Sequence, residues 1–509
     1  VSFAVSVSCI LPYLFIKKSA LLAVLQGVSS SKNGIIRRDF VSEKVKMVKR
    51  YLCVHAHFYQ PPREDPRTGQ IPVEPGAAPY PNWNERIYQE CYRPNSELNN
   101  YERISFNVGP TLFEWLATDH PDTLAEIVNA DRRMVTRHGV GNAMAMPYHH
   151  TILPLATDLD KITQVRWGIM DFEARFGRKP VGMWLPETAV DDATLAVLAD
   201  HGIRYTILAP WQARREHLDV TQPYCVELTQ GKSIIVFFYH APLSGGISFD
   251  PSMTVNADRF ATDSLLPVYQ NEGAKRAKAK LILLASDGEL YGHHQPLRQY
   301  FLQRLLTDSC RMNDIAVTYP AKWLQEYPVT RTVHIRQRTS WSCHHGIARW
   351  TSGCACTSGD SSWKKALRSA LDQIAAEIDQ IYADIGSKLA DDVWELRHAY
   401  LQVVLGQVSL DTYLRQMTAK SLSSAERQTL LQLLEAQFER QRMFASCGWF
   451  FEDFDRIEPR NAVAYAAHAI RLTELASGID LSAFARQRLK KVVSPTTGLR
   501  GDQVFDRFR

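Results

Sequence analysis

PVGMWLPET (180–188) and AKLILLASDGELYGHH (279–294) decide the fold. Each is an apolar run that ends on an acid, Glu187 in the first and Asp287 in the second. Uninterrupted apolar runs of strand length are what burial on both faces of a parallel sheet produces. In a barrel of parallel strands the C-terminal strand ends converge on one face, which carries the chemistry. Two carboxyls meeting there, beside Trp184, Tyr291 and His293, point to glycosidic-bond chemistry. Acids are also frequent at strand ends and helix caps, so the pair must be placed in a fold before it carries meaning.

Working outward, further runs of the same kind are YLCVHAHF (51–58), ISFNVGP (104–110), GNAMAMPY (141–148), IRYTILAP (203–210) and SIIVFFYH (233–240). Between them lie segments of helical spacing, such as DLDKITQVRWGIMDFEARFG and DATLAVLADHG. Alternation of this kind predicts an α/β protein with a parallel sheet, and about seven strands predict a distorted (β/α)7-type barrel. An open doubly wound sheet is the other candidate, but no GxGxxG follows the first strand. After about residue 360 the chain turns rich in Leu, Ala, Gln and Glu, as in WKKALRSALDQIAAEIDQIYADIG, and predicts a mainly helical C-terminal domain. The expected division is a barrel over 47–330 and a helical domain over 331–509. A Pro-rich stretch, YQPPREDPRTGQIPVEPGAAPYPNWNERIYQECYRPN, follows the first strand; loops of that length usually build a site.

The 509 residues carry 59 Lys and Arg against 54 Asp and Glu, a net charge of +5 with no long basic run, so nucleic acid is not an expected partner. Nine Cys, mostly scattered singly, fit a reducing compartment, and a cytoplasmic location is expected. Residues 1–46 differ from the rest. VSFAVSVSCILPYLFI is short for a membrane span, and its positive charges follow the apolar stretch instead of preceding it. With Met47 just before the first strand, 1–46 is expected to be a non-native extension or a leader, a membrane anchor being the rival. No stable membrane association is expected, and oligomeric state is left open.

Half of the 16 His fall in close pairs: His55/His57, His149/His150, His293/His294 and His344/His345. At strand ends such side chains bond sugar hydroxyls or tune an acid; with an Asp they also resemble a zinc set. No third or fourth ligand is fixed by spacing, so no metal and no cofactor is assigned. Trp184 and Trp211 offer flat faces for sugar rings, with core packing as the alternative for each.

Taken in order, HAHFYQPP, NWNERI with ECYRPN, FNVGPTL, GNAMAMPYHHTILPL, GMWLPE, YTILAPWQA, LASDGELYGHHQP, SWSCHHG and SCGWFFED resemble glycoside hydrolase family 57. The resemblance is to the branch with an added helical C-terminal domain of uncharacterised function. It implies a distorted barrel of about seven strands, a retaining mechanism and α-1,4-glucan substrates, as in an amylase or a 4-α-glucanotransferase. By motif match Glu187 is the expected nucleophile and Asp287 the expected general acid/base. His57, His149 or His150, and His293 would line the sugar subsites. A retaining pair works at a separation of about 5–5.5 Å. Glu289 is the less favoured acid, its side chain expected to point away from Asp287 if the stretch stays extended. His240 stands where an acid is common in relatives.

SCGWFFED is expected to bring Trp449 and Asp453 to the barrel mouth, unless it is simply a buried aromatic helix start. SWSCHHGIARWTSGCAC packs Cys343, His344, His345, Cys354 and Cys356 into fourteen positions. That density suits zinc, but repeated CxxC spacing is missing, and a structural or substrate-facing loop is the preferred reading. Two other functions remain open: a metal-dependent carbohydrate deacetylase using His55, His57 and Asp287 with the later His pair, and a non-catalytic glucan-binding protein.

Overall fold

The computed structural model describes residues 48–509 except 272, 274–276 and 419–420. The expected leader lies outside the described residues. Lys49–Arg509 form one compact unit.

Strand β1 (Lys49–Phe58) is the central stave, buried along nearly its whole length. One edge pairs in parallel with β6 (Ala279–Asp287), in a register that sets His57 opposite Asp287. The other edge is shared, by β7 (Ile315–Val317) near its start and β2 (Ser105–Val108) near its end. From β2 the ring passes through parallel bridges Phe106–Ala143, Ala145–Met183 and Gly182–Tyr205 to β3 (Tyr205–Leu208), then to β5 (Ser233–Phe238). It closes where the His240 amide donates to the Leu283 carbonyl (2.7 Å). Seven staves therefore surround the axis, and the fold is the distorted barrel expected.

Two staves differ from the prediction. GNAMAMPY and PVGMWLP touch their neighbours only at isolated bridges and are not regular strands. Two short strands escaped notice: β4 (Tyr224–Glu227), antiparallel to β5, and β7. Three or four residues carry too little pattern to be read from sequence.

Alternation along each strand sorts side chains into two cores. Tyr51, Cys53, Met144, Met146, Ile207, Phe237, Leu281 and Leu283 fill the barrel. Leu52, Val54, Ala56, Phe58, Ile282 and Leu284 face the surrounding helices. The same parity sends His55, His57 and Asp287 toward the barrel axis at its C-terminal end.

Helix α1 (Asp158–Phe176) starts at a Thr157 cap and stops where Gly177 turns left-handed (φ +66°). Three helices, α2 (Ser362–Gly386), α3 (Ser424–Arg442) and α4 (Ile457–Ser477), build the C-terminal region around a core of Leu, Ile, Ala and Trp. Its apolar face rests on α1 through a buried polar contact. Asp160 accepts from Arg440 (2.7 Å) and Gln441 (2.6 Å) and forms an ion pair with Arg397 (3.1 Å). Trp167 donates to the Arg397 and His398 carbonyls. Burial alone would raise the Asp160 carboxyl, but the two guanidiniums hold it well below the usual range.

The segment just beyond the boundary expected at 330 stays in contact with the barrel. Thr332, Ile335 and Thr339 bridge to Cys225, Ala213 and Val190, so this segment is laid on the barrel by backbone pairing, for which residue composition gives no signal. Among the described residues no helix is long and apolar enough to cross a membrane.

Candidate active site

Glu187 sits one turn beyond the 182–183 stave, in backbone that bends twice the unusual way. Glu187 has φ +56° and Thr188 φ +47°, a conformation that costs an L-residue about 1–2 kcal/mol. Neighbours hold it there. The Trp341 amide donates to the Glu187 carbonyl (3.0 Å), and the buried Gln212 side chain donates to the Thr188 carbonyl (2.8 Å) and accepts from the Thr188 hydroxyl (3.0 Å). The carboxylate itself accepts two bonds at Oε2, from Trp341 Nε1 (3.1 Å) and Ser342 Oγ (2.6 Å). Burial raises this carboxyl above the ordinary Glu range; the Ser342 bond, the Arg349 charge and the Trp341 bond oppose it without cancelling it.

Asp287 ends β6 and opens onto the cleft. Its dense surroundings, and then the negative charge of Glu187, push it up to about 7. The two acids feel each other, and only one is tied to donors in a way that favours ionisation. Pairs of acids whose surroundings treat their charged forms unequally are suited to acid/nucleophile chemistry.

Glu289 does point away, for a reason other than the one expected. Extended backbone would place 287 and 289 on the same face. Instead the strand ends in a turn at Gly288–Leu290, and Glu289 swings under the sheet to accept from Tyr92 Oη (2.7 Å) and the Tyr59 amide (3.1 Å). The turn lies so close to β1 that a Cβ at Gly288 would stand 2.2 Å from the Phe58 ring. Burial pushes Glu289 up to about 8, with help from the Asp287 charge, so it is a protonated structural acid.

The floor between the acids is aromatic. His57 and His55 stack on Trp184, with ring centroids 5.3 and 4.7 Å apart. His57 Nε2 meets His150 Nε2 at 3.2 Å, and His150 lies flat against Tyr59 at 3.8 Å. Asn107 reaches both His55 and His57 (3.2 Å each) and fixes their rings. Burial holds His57 down at about 4, and burial with the His57 charge holds His150 well below its usual value, so these rings are neutral donors and acceptors at pH 7. Trp211 stands at the rim, 41% exposed, its indole donating to the Ser340 carbonyl (3.0 Å).

Other expected subsite residues take different places. Trp184 is wholly buried, a floor beam with no open face. His149 turns away from His150 and packs on Trp167 and Phe438, its Nδ1 bonded to Gln164. His293 is engaged by Glu90 and fastens the loop after β1. His240 caps a helix, accepting from the Leu243 amide (3.2 Å). Trp449 is enclosed in the helical core, donating to the Lys364 carbonyl, and Asp453 accepts from Ser494 and Thr496 as a turn cap. SCGWFFED instead contributes Ser446, which pairs with His150 Nδ1 at 2.6 Å. Tyr59, Asn107, Trp341, Ser342 and Ser446 were not singled out from sequence; Trp341 lies 154 positions from the acid it serves, and spacing cannot report such a contact.

His55 and His57 are hydrogen-bonded to Ser105, Asn107 and His150, and among the described residues neither joins Asp287 in a group of side chains able to hold a metal ion. Among the described residues, ligand-type side chains converge at a different place, Cys343, His345, Cys354 and Cys356.

A family model described as glycosyl hydrolase family 57 matches residues 32–336, and the chain belongs to that family. Residues 360–508 match a second model, a domain of unknown function (DUF3536). The chain is 26% identical over 218 residues to Alpha-amylase 1 of Dictyoglomus thermophilum, a match spanning 41% of this chain and 29% of that enzyme. Among solved structures it is similar to an exo-type maltose-forming amylase from Pyrococcus sp. ST04 (TM-score 0.67, 15% identity, covering 90% of this chain and 88% of that one). It also resembles a branching enzyme from Pyrococcus horikoshii (TM-score 0.57, 16% identity, 87% and 95%) and a 4-alpha-glucanotransferase from Thermococcus litoralis (TM-score 0.54, 15% identity, 84% and 60%). At these identities the structural likeness is one of fold.

Proposed function

We propose that the chain is a retaining enzyme acting on α-1,4-linked glucans by hydrolysis or by transfer to another glucan. The observation that carries this is the pair of acids at the C-terminal barrel end: Glu187 held by two donors, and Asp287 at the end of β6 opposite His57, its carboxyl raised by burial and by the Glu187 charge. Membership of family 57 and the named relatives support the substrate class.

In this reading Glu187 attacks the anomeric carbon while Asp287 gives its proton to the departing glycosidic oxygen. The covalent glycosyl-enzyme then yields to water or to an acceptor hydroxyl, whose proton returns to Asp287. Trp341 and Ser342 hold Glu187 in line for attack. Trp211 offers a stacking face at the rim, and His57 and His150 line the base of the subsite.

The test is incubation with maltoheptaose, read by chromatography for shorter and longer oligosaccharides and by NMR for the anomer first formed. The wild type is expected to give α-anomeric products. Glu187→Gln is expected to lose at least about 10³-fold in turnover with an unchanged melting temperature, since charge is removed at constant shape. Full activity in that variant, or no conversion by the wild type, overturns the reading.

A further inference from the structure

The segment that carries the two donors to Glu187 runs directly into Cys343. Cys343, His345, Cys354 and Cys356 converge so that one ligand atom from each lies within 4.8 Å of all the others. Cys343 Sγ and Cys354 Sγ are 3.5 Å apart, and Cys356 Sγ is 3.4 Å from His345 Nδ1. A zinc ion bound at about 2.3 Å to sulfur and 2.0–2.1 Å to nitrogen has tetrahedral edges of roughly 3.5–3.8 Å. The sulfurs are much too far apart for a disulfide, whose S–S length is about 2.05 Å. Two short turn segments supply the ligands, C-x-H and C-x-C. Gly346 follows the first with φ +77° and no room for a side chain, a Cβ there meeting the Arg338 carbonyl at 2.6 Å.

Charge around the cluster fits the same occupant. Lys364 is fully buried, donating to Thr357 Oγ1 (3.1 Å). Burial disfavours its charge and Arg349 repels it, while Cys354, Cys343 and Glu452 attract it. Three thiolates and one neutral imidazole around a divalent ion carry one net negative charge, which a buried ammonium balances. Arg349 lies between the two ligand segments and donates to the Ser342 carbonyl (2.9 Å) and the Phe450 carbonyl (3.1 Å). The ligands thus sit on a strap between the barrel rim and the helical region.

We propose that Cys343, His345, Cys354 and Cys356 form a structural zinc site, closed by four protein ligands. It staples the loop that delivers Trp341 and Ser342 to Glu187. Binding Zn²⁺ releases the three thiol protons to solvent, with His345 coordinating neutral through Nδ1. Softness and geometry favour zinc over magnesium or calcium, which take oxygen ligands.

Metal content tests this without reference to catalysis, so its outcome is separable from the proposed activity. The full chain, prepared without a polyhistidine tag and passed over chelating resin, is expected to retain one zinc per chain by elemental mass spectrometry. Mercurial modification of its thiols is expected to release that zinc. Cys354→Ser and Cys356→Ser are expected to fall below about a tenth of an equivalent, while Glu187→Gln keeps its metal. If the serine variants do not fold, Co²⁺ substitution of the wild type decides, with tetrahedral thiolate absorption expected. Wild-type protein with under a tenth of an equivalent, or with Cys343 and Cys354 joined as a disulfide in peptide mapping, overturns the proposal.

Discussion

At the residue scale, Glu187 and Asp287 differ by what surrounds them and not by what they are. In the proposed mechanism Glu187 must be ionised to attack, so the rate is expected to fall as pH drops through its raised pKa. In the same mechanism Asp287 must be protonated to act first, so kcat/KM is expected to fall as pH rises through about 7. Ser342→Ala removes a hydrogen bond that favours the charged form of Glu187. A bond to a charged group contributes about 1.5–3 kcal/mol, so kcat should drop by roughly 10- to 100-fold. The acid limb should move to higher pH and narrow the bell while the alkaline limb stays near 7. A pH–rate profile of wild type and variant checks both limbs.

Elements matter through their ends. Strand β6 must stop at Asp287, or Glu289 would share the cleft; the turn at Gly288 stops it by lying on Phe58. Helix α1 matters through its first turn, where Asp160 meets Arg440 and Arg397 from the helical region. Asp160→Asn leaves two buried guanidiniums short of a counter-charge and is expected to cost about 3–5 kcal/mol in urea unfolding at pH 7. Because the folded pKa of Asp160 is depressed, its contribution is present above its unfolded value, about pH 4, and is lost as pH falls below that. Wild type and variant stabilities should therefore converge in acid.

For the whole molecule, the helical region helps to build the site as well as cover the barrel. Ser446 fixes His150 from beyond α3, and Trp341 and Ser342 reach Glu187 from the strap after the last bridge to the barrel. A chain ending at residue 336 keeps both acids but loses all three contacts and uncovers the face of α1 around Trp167. It is expected to associate in size-exclusion chromatography and to lose at least about 10³-fold in activity against maltoheptaose. Near-normal turnover by such a fragment would show that the barrel completes its own site.

Much of this was legible beforehand. Uninterrupted apolar runs of strand length marked all seven staves, because burial on both faces leaves a dense signal, clearest in β1 and β6. What the runs did not reveal is that 143–145 and 182–183 pair only through isolated bridges and are not regular strands. Glu187 and Asp287 stood out because each ends an apolar run. Trp449 and Asp453 misled for the opposite reason: an aromatic beside an acid looks the same in a core as in a cleft, and only enclosure by α2 and α4 separates the two.

By itself, then, the amino-acid sequence determined the barrel, the helical addition and the two acids, all of which are written in local patterns of burial. Only the tertiary structure decided which donors hold Glu187, which histidine of a pair faces the cleft, and that four ligand side chains around residue 350 meet at one point. Those are contacts between distant segments. They depend on loop paths and strand parity acting together, and no spacing along the chain encodes them.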